Sequence, residues 1–132
     1  AAAACAAAAG IPLTHRGAAQ AVTLLTGHAH DGEPDLDWAA LARLGQTLAI
    51  YMGVSTAGAV AARLIEHGLA PSTPAAVIEN GTLPSERVVR TRLDQLESAI
   101  RDHGIRGPAM ILVGAVVDQA RDMAAPAEAI AI

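Results

Sequence analysis

Lysine and phenylalanine are absent from these 132 residues, and cysteine occurs once. Without lysine, no side-chain amine of this chain can serve as a catalytic acid or base. All nine cationic side chains are arginine, the better residue for gripping a carboxylate through a planar, two-pronged contact; a coding bias that also enriches Ala and Gly accounts for the same composition. A single cysteine, Cys5, excludes an internal disulfide and is compatible with a reducing compartment. Aromatics make up 2% of the chain although 52% of it is hydrophobic, so Leu, Ile, Val and Ala must fill the core in closely spaced layers. That composition also excludes disorder. No apolar run approaches the roughly 20 residues of a membrane helix, and residues 109–117 are interrupted by Gly114. The Ala-rich opening lacks the charged n-region and Leu-rich h-region of a signal peptide, which predicts a cytoplasmic location. A formal net charge of −4 argues against broad binding to nucleic acid.

What is present reads as one domain with a real core. Short aliphatic and β-branched runs at 22–26, 47–52, 75–79, 87–93 and 110–117 predict strands, most of them closed by glycine or Asn-Gly. Between them, Asp37 is placed to cap a short helix over 38–44. Ser55 is the expected N-cap of a helix to His67, with Val60/Leu64 and Ala61/Ile65 four residues apart, and a further helix is expected over 94–103. This is the pattern of an α/β fold: a mixed, mostly parallel sheet of about five strands flanked by helices. The connection from Asn80-Gly81 to Arg87 is too short for a helical crossover, so that pair is expected to be antiparallel.

No phosphate-binding glycine loop, CxxC or nucleophile elbow occurs. His28, His30 and Asp31 have too few ligands and too loose a spacing for a metal site, and read as a polar loop. His67 and His103 fall in the last turns of helices, where a cation suits the dipole. Three segments sit at strand ends or loop entries, where α/β proteins bind ligands: Gly10-Ile11-Pro12-Leu13-Thr14-His15-Arg16, Tyr51-Met52-Gly53-Val54 and Glu79-Asn80-Gly81-Thr82. Singly, each is a turn signal.

Together with Thr26-Gly27-His28, Leu36-Asp37-Trp38, Arg87-Val88-Val89 and Val113-Gly114-Ala115-Val116-Val117, these segments occur in the order and spacing of uroporphyrinogen-III C-methyltransferases. That family of tetrapyrrole methylases includes the methylase domain of siroheme synthases, and the sequence resembles it over residues 1–122. Residues 123–132 run into Ala, Pro and an acid and are expected to form a weakly ordered tail. The resemblance implies a two-domain enzyme, normally a homodimer, with its cleft between two α/β halves. It implies methyl transfer from S-adenosyl-L-methionine to uroporphyrinogen III, giving precorrin-2 on the way to siroheme or cobalamin.

This chain is similar to the C-terminal half. The N-terminal half of the same enzyme, with the glycine-rich loop and the Asp and Lys attributed to catalysis, is not in it, so no catalytic residue and no metal ligand is expected here. The resemblance assigns cofactor contacts to Met52, Gly81 and Ala1, the last matching the second residue of a Thr-Ala pair. The Ala tract departs from the family at Ala8, where Tyr is usual. Arg16 is the cation expected to meet a carboxylate of the substrate, with a simple loop ion pair as the structural alternative. Two other readings stay open: a non-catalytic binding or dimerisation module of the same fold, and a methylase of the superfamily with a different substrate.

Overall fold

Among the residues described by the computed structural model (2–29, 33–43 and 45–119), five strands form one sheet in the order β1-β2-β5-β3-β4. They are β1 Ala21–Thr26, β2 Gln46–Tyr51, β3 Pro74–Glu79, β4 Arg87–Arg92 and β5 Ala109–Val113. Helices α1 Ala2–Ala8, α2 Trp38–Leu41, α3 Ala57–Glu66 and α4 Leu96–Asp102 accompany them, α4 being entered through a 3-10 turn at Leu93–Gln95.

Successive side chains of a strand point to opposite faces, and here both faces are apolar. Leu48, Ile50, Val77, Ile111 and Val113 form one core with Val60 and Leu64 of α3 and Leu96 and Ile100 of α4. Ala49, Ala76, Ile78, Met110 and Leu112 form the other with α1, Ile11, Val116 and Val117. Burial on both sides explains why the central strands are unbroken aliphatic runs. The buried positions of α1, Ala2 and Ala6, carry only methyl groups, so this helix can lie close against the sheet.

The α/β class and the mixed five-stranded sheet are as expected, and β3 and β4 are antiparallel. The expectation of a mostly parallel sheet needs correction. Among the described residues only β1 and β2 pair in parallel; β2–β5, β5–β3 and β3–β4 are antiparallel. The cause is topological. β1, β2 and β3 run the same way, joined across α2 and α3, but β2 and β3 leave a gap one strand wide. β5, arriving last, fills it in the opposite sense.

Two boundaries also shift. The strand expected over 110–117 stops at Val113, because Gly114 takes φ 145° and turns the chain; Val116 and Val117 are buried in a 3-10 turn instead. The helix expected from Ser55 starts at Ala57 with Thr56 in the capping position. The Thr56 hydroxyl caps nothing; it donates to the Gly27 carbonyl at 2.7 Å. His67 and His103 do end their helices, each with Nδ1 against a carbonyl four residues back, at 2.9 and 3.0 Å. No helix among the described residues is long and apolar enough to cross a membrane. The expected tail, 123–132, lies outside the described residues.

Candidate functional site

β2 and β3 end at the same edge of the sheet, with β5 beginning between them: Tyr51 stands opposite Met110, and Glu79 opposite Ala109. Two strand spacings, about 10 Å, therefore separate the segments that follow. Both segments turn left-handed. Met52 (φ 53°), Asn80 (φ 53°) and Thr82 (φ 70°) are the positive-φ non-glycine residues among those described. Such conformations cost on the order of 1–3 kcal/mol each and survive only where their surroundings over-determine them; Asn tolerates them best and β-branched Thr worst.

The surroundings are visible. The Asn80 amide donates to the Pro108 carbonyl at 3.0 Å, and the Leu83 amide to the Asn80 carbonyl at 3.0 Å. Glu86 Oε1 accepts from the Thr82 amide at 2.9 Å. Beside β2, the Gly27 amide donates to the Tyr51 carbonyl at 2.6 Å. A Cβ on Gly27 would lie 2.7 Å from the Gly53 Cα, so these two glycines let the ends of β1 and β2 touch.

Helix α1 spans both segments. Its Ala2 amide donates to the Tyr51 hydroxyl at 3.1 Å, and one turn later Cys5 packs on Gly81. A Cβ on Gly81 would fall 2.5 Å from Cys5 Sγ and 3.2 Å from Cys5 Cβ. Gly81 is thus required for close approach of a helix. Its φ is not positive; Asn80 and Thr82, on either side, take that conformation.

The outer surface of this end carries two large exposed apolar side chains, Met52 (62%) and Leu83 (53%). Neither the amide nor the carbonyl of Gly81 takes a hydrogen bond among the described residues. A thioether on one segment and free backbone polar groups on the other, about 10 Å away, are groups that a flat heteroaromatic ligand with a polar edge can use, so they fit the adenosine part of the implied cofactor.

Below the loop, Glu79 is a buried carboxylate, 7% exposed. The Arg106 amide (3.1 Å) and then the Arg87 guanidinium (2.8 Å from Nε) hold it below the usual carboxylate range, although burial pulls the other way. Arg87 also donates to the His103 carbonyl at 2.8 Å.

Arg16 is not brought to this place. Its loop is anchored by the Thr47 hydroxyl, which donates to the Leu13 carbonyl at 2.7 Å. Thr47 stands at the start of β2, four residues and about 13 Å of strand from Tyr51. Thr14, His15 and Arg16 are exposed, and Arg16 has no ion-pair partner among the described residues. Ala1 lies outside the described residues, as do His30 and Asp31. No group of three metal-ligating side chains occurs among those described.

Met52 and Gly81 do follow strands that end at one edge of the sheet; the sequence did not signal the neighbouring Cys5 and Leu83, or the burial of the Glu79 carboxylate. The Glu-Asn-Gly-Thr string pointed at Glu79 without saying that its side chain would be buried. For Cys5, in a run of alanines, there was no signal.

A family model described as tetrapyrrole (corrin/porphyrin) methylases matches residues 1–97. The chain belongs to the tetrapyrrole methylases. The matched span includes α1 and the ends of β1, β2 and β3, and stops short of β5. Among curated relatives, the siroheme synthase of Gluconacetobacter diazotrophicus is 52% identical over 118 residues, 89% of this chain and 25% of that one. The siroheme synthase of Chromobacterium violaceum is 51% identical over 112 residues, 85% of this chain and 24% of that one.

Among solved structures, the uroporphyrin-III C-methyltransferase of Thermus thermophilus, complexed with S-adenosyl homocysteine, is 33% identical at a TM-score of 0.71. That match covers 95% of this chain and 53% of that one. A cobalt precorrin-4 methyltransferase, a cobalamin biosynthetic enzyme, is 34% identical at a TM-score of 0.78, covering 87% and 48%. The methylase chain thus spans about a quarter of the siroheme synthases it matches and about half of these solved structures.

Proposed function

We propose that this chain supplies half of the S-adenosyl-L-methionine pocket and one wall of the cleft of a uroporphyrinogen-III C-methyltransferase. The product is precorrin-2, a precursor of siroheme and cobalamin. The observation that carries this reading is the pair of left-handed segments at the ends of β2 and β3, with an exposed Met52 at one and Gly81 at the other. Similarity to siroheme synthases and to a uroporphyrin-III C-methyltransferase supports the substrate.

When bound, the cofactor supplies an electrophilic methyl group to an electron-rich pyrrole carbon. The chain's own residues bind and position. Met52 offers its thioether to the adenine face, and Gly81 offers unhindered backbone donors and acceptors at its edge. Ala1 is assigned to the same pocket by its match to the family's Thr-Ala pair. Arg16, exposed and without an ion-pair partner among the described residues, is the cation proposed for an outlying carboxylate of the wide, polyanionic substrate. Proton transfer falls to the other half of the enzyme, where the resemblance places the Asp and Lys attributed to catalysis. We place the working enzyme in the cytoplasm as a homodimer, each subunit joining this half to an N-terminal half.

Methyl transfer from labelled S-adenosyl-L-methionine to uroporphyrinogen III tests the reading. The full-length enzyme is expected to turn over and residues 1–132 alone to be inactive. Comparable turnover by the two would overturn the half-pocket assignment. A full-length protein that neither binds the cofactor nor turns over would be a non-catalytic module.

A further inference from the structure

We infer that Glu79 is a positioning residue of the cofactor pocket, acting through the backbone of residues 80–82. This rests on the reading that Gly81 lines that pocket. Glu79 is the one buried charged side chain among the described residues. It precedes the loop whose Asn80 and Thr82 are left-handed. Its two carboxylate oxygens are used in different directions. Oε1 takes Nε and Nη2 of Arg87, at 2.8 and 2.7 Å, from the adjacent strand β4. Oε2 takes the Arg106 amide, at 3.1 Å, from the connection that leads into β5. The Asn80 amide then reaches the Pro108 carbonyl on that same connection. The root of the loop is therefore tethered to both neighbouring strands.

If joining β3 to β4 were the whole task, an apolar pair would serve, as Val77 and Val89 do in the same ladder. Apolar replacements for buried ion pairs are often neutral or stabilising. An apolar pair could not hold the Arg106 amide, and it has no direction. A carboxylate with three donors fixes the height and tilt of the next backbone unit, where a strained turn must meet a flat ligand.

The test uses the full-length enzyme and S-adenosyl homocysteine titrated by calorimetry well below the melting temperature. Glu79→Ala is expected to weaken binding about tenfold, the low end of what outer-shell partners contribute at metal sites. KM for uroporphyrinogen III should stay within about twofold, since its carboxylates are met elsewhere. Glu79→Gln keeps one acceptor oxygen; it should lose about threefold and carries the test if the alanine variant does not fold. Val77→Ala, in the core of the same strand, should lower the melting temperature and leave the titration unchanged. If both Glu79 variants bind like wild type while Gly81→Val binds poorly, Glu79 is structural only and the inference is overturned. If Gly81→Val also binds like wild type, the cofactor reading falls and takes this inference with it.

Discussion

The two ends of the sheet are made from the same short aliphatic strands and differ in how the chain leaves them. Around the start of β2 and the end of β5, the left-handed positions are all glycine: Gly10, Gly17, Gly45 and Gly114. There the backbone turns at little cost, and a single hydroxyl, from Thr47, anchors the loop that ends in Arg16. At the opposite end the left-handed positions include Met52, Asn80 and Thr82, and a buried carboxylate precedes Asn80 while Cys5 of α1 packs on Gly81. Backbone strain is spent where a side chain is wanted at the turn itself. The contrast is between an end whose turns carry side chains and one whose turns rest on glycine.

The largest expected effect comes from Gly81→Val. The added side chain meets Cys5 and must push α1 away from the strand end, an overpacking cost of about 1–3 kcal/mol in stability. Binding of S-adenosyl homocysteine should fall further, by about a hundredfold, because the ligand edge is blocked as well. Met52→Leu keeps the volume and should change binding only a few-fold. Equal titrations for wild type and Gly81→Val would make the two ends of the sheet functionally alike. Next is Thr47→Val, which leaves the Leu13 carbonyl without its buried donor. A stability loss of about 1–3 kcal/mol in urea titration is expected, with cofactor affinity unchanged; a parallel loss of affinity would break the comparison.

Arg16→Ala should raise KM for uroporphyrinogen III by no more than about 1.5 kcal/mol, the lower figure for a hydrogen bond to a charged group, and leave the cofactor alone. An unchanged KM with a lower melting temperature would return Arg16 to the role of loop support. The smallest effect is expected from acid. Glu79 and Asp94 both titrate below their ordinary values of 4.5 and 3.8 in the folded chain, so the unfolded chain binds more protons. Their contribution is present at neutral pH and is lost as pH falls below those values. The urea midpoint should therefore drop between about pH 5 and pH 3, and less steeply in Glu79→Gln. An identical slope would remove Glu79 from the account of acid stability.

Much of this architecture was legible in the sequence, because short β-branched runs closed by glycine are strands for a local reason. What was misread had non-local causes. Val116 and Val117 read as strand because they are apolar, but apolarity reports burial, and they are buried in a 3-10 turn that packs against β3 and β5. Ser55 looked like a cap because the hydroxyl one residue on, Thr56, gave no sign of being claimed by Gly27 across the sheet. The order of the strands was not readable, since nothing in Met110–Val113 says which neighbours it will find. In the site, Asn-Gly announced a turn, but the left-handed residues proved to be the two around the glycine. The glycine itself answers to Cys5, a contact between residues 76 positions apart in the chain.

The placement of β5 has a consequence for how the chain comes into being. Among the described residues, β5 is the strand to which both ribbons, β1–β2 and β3–β4, hydrogen-bond. Of the five strands in these residues it lies at the middle of the sheet and comes last in the chain, so both ribbons are synthesised before the strand that joins their inner edges. For that interval the nascent chain holds two open apolar edges, Leu48–Tyr51 and Ala75–Glu79, waiting for a common partner. A ribosome stalled before Ala109 would therefore present chaperones with an unclosed sheet, however complete the rest of the domain had become.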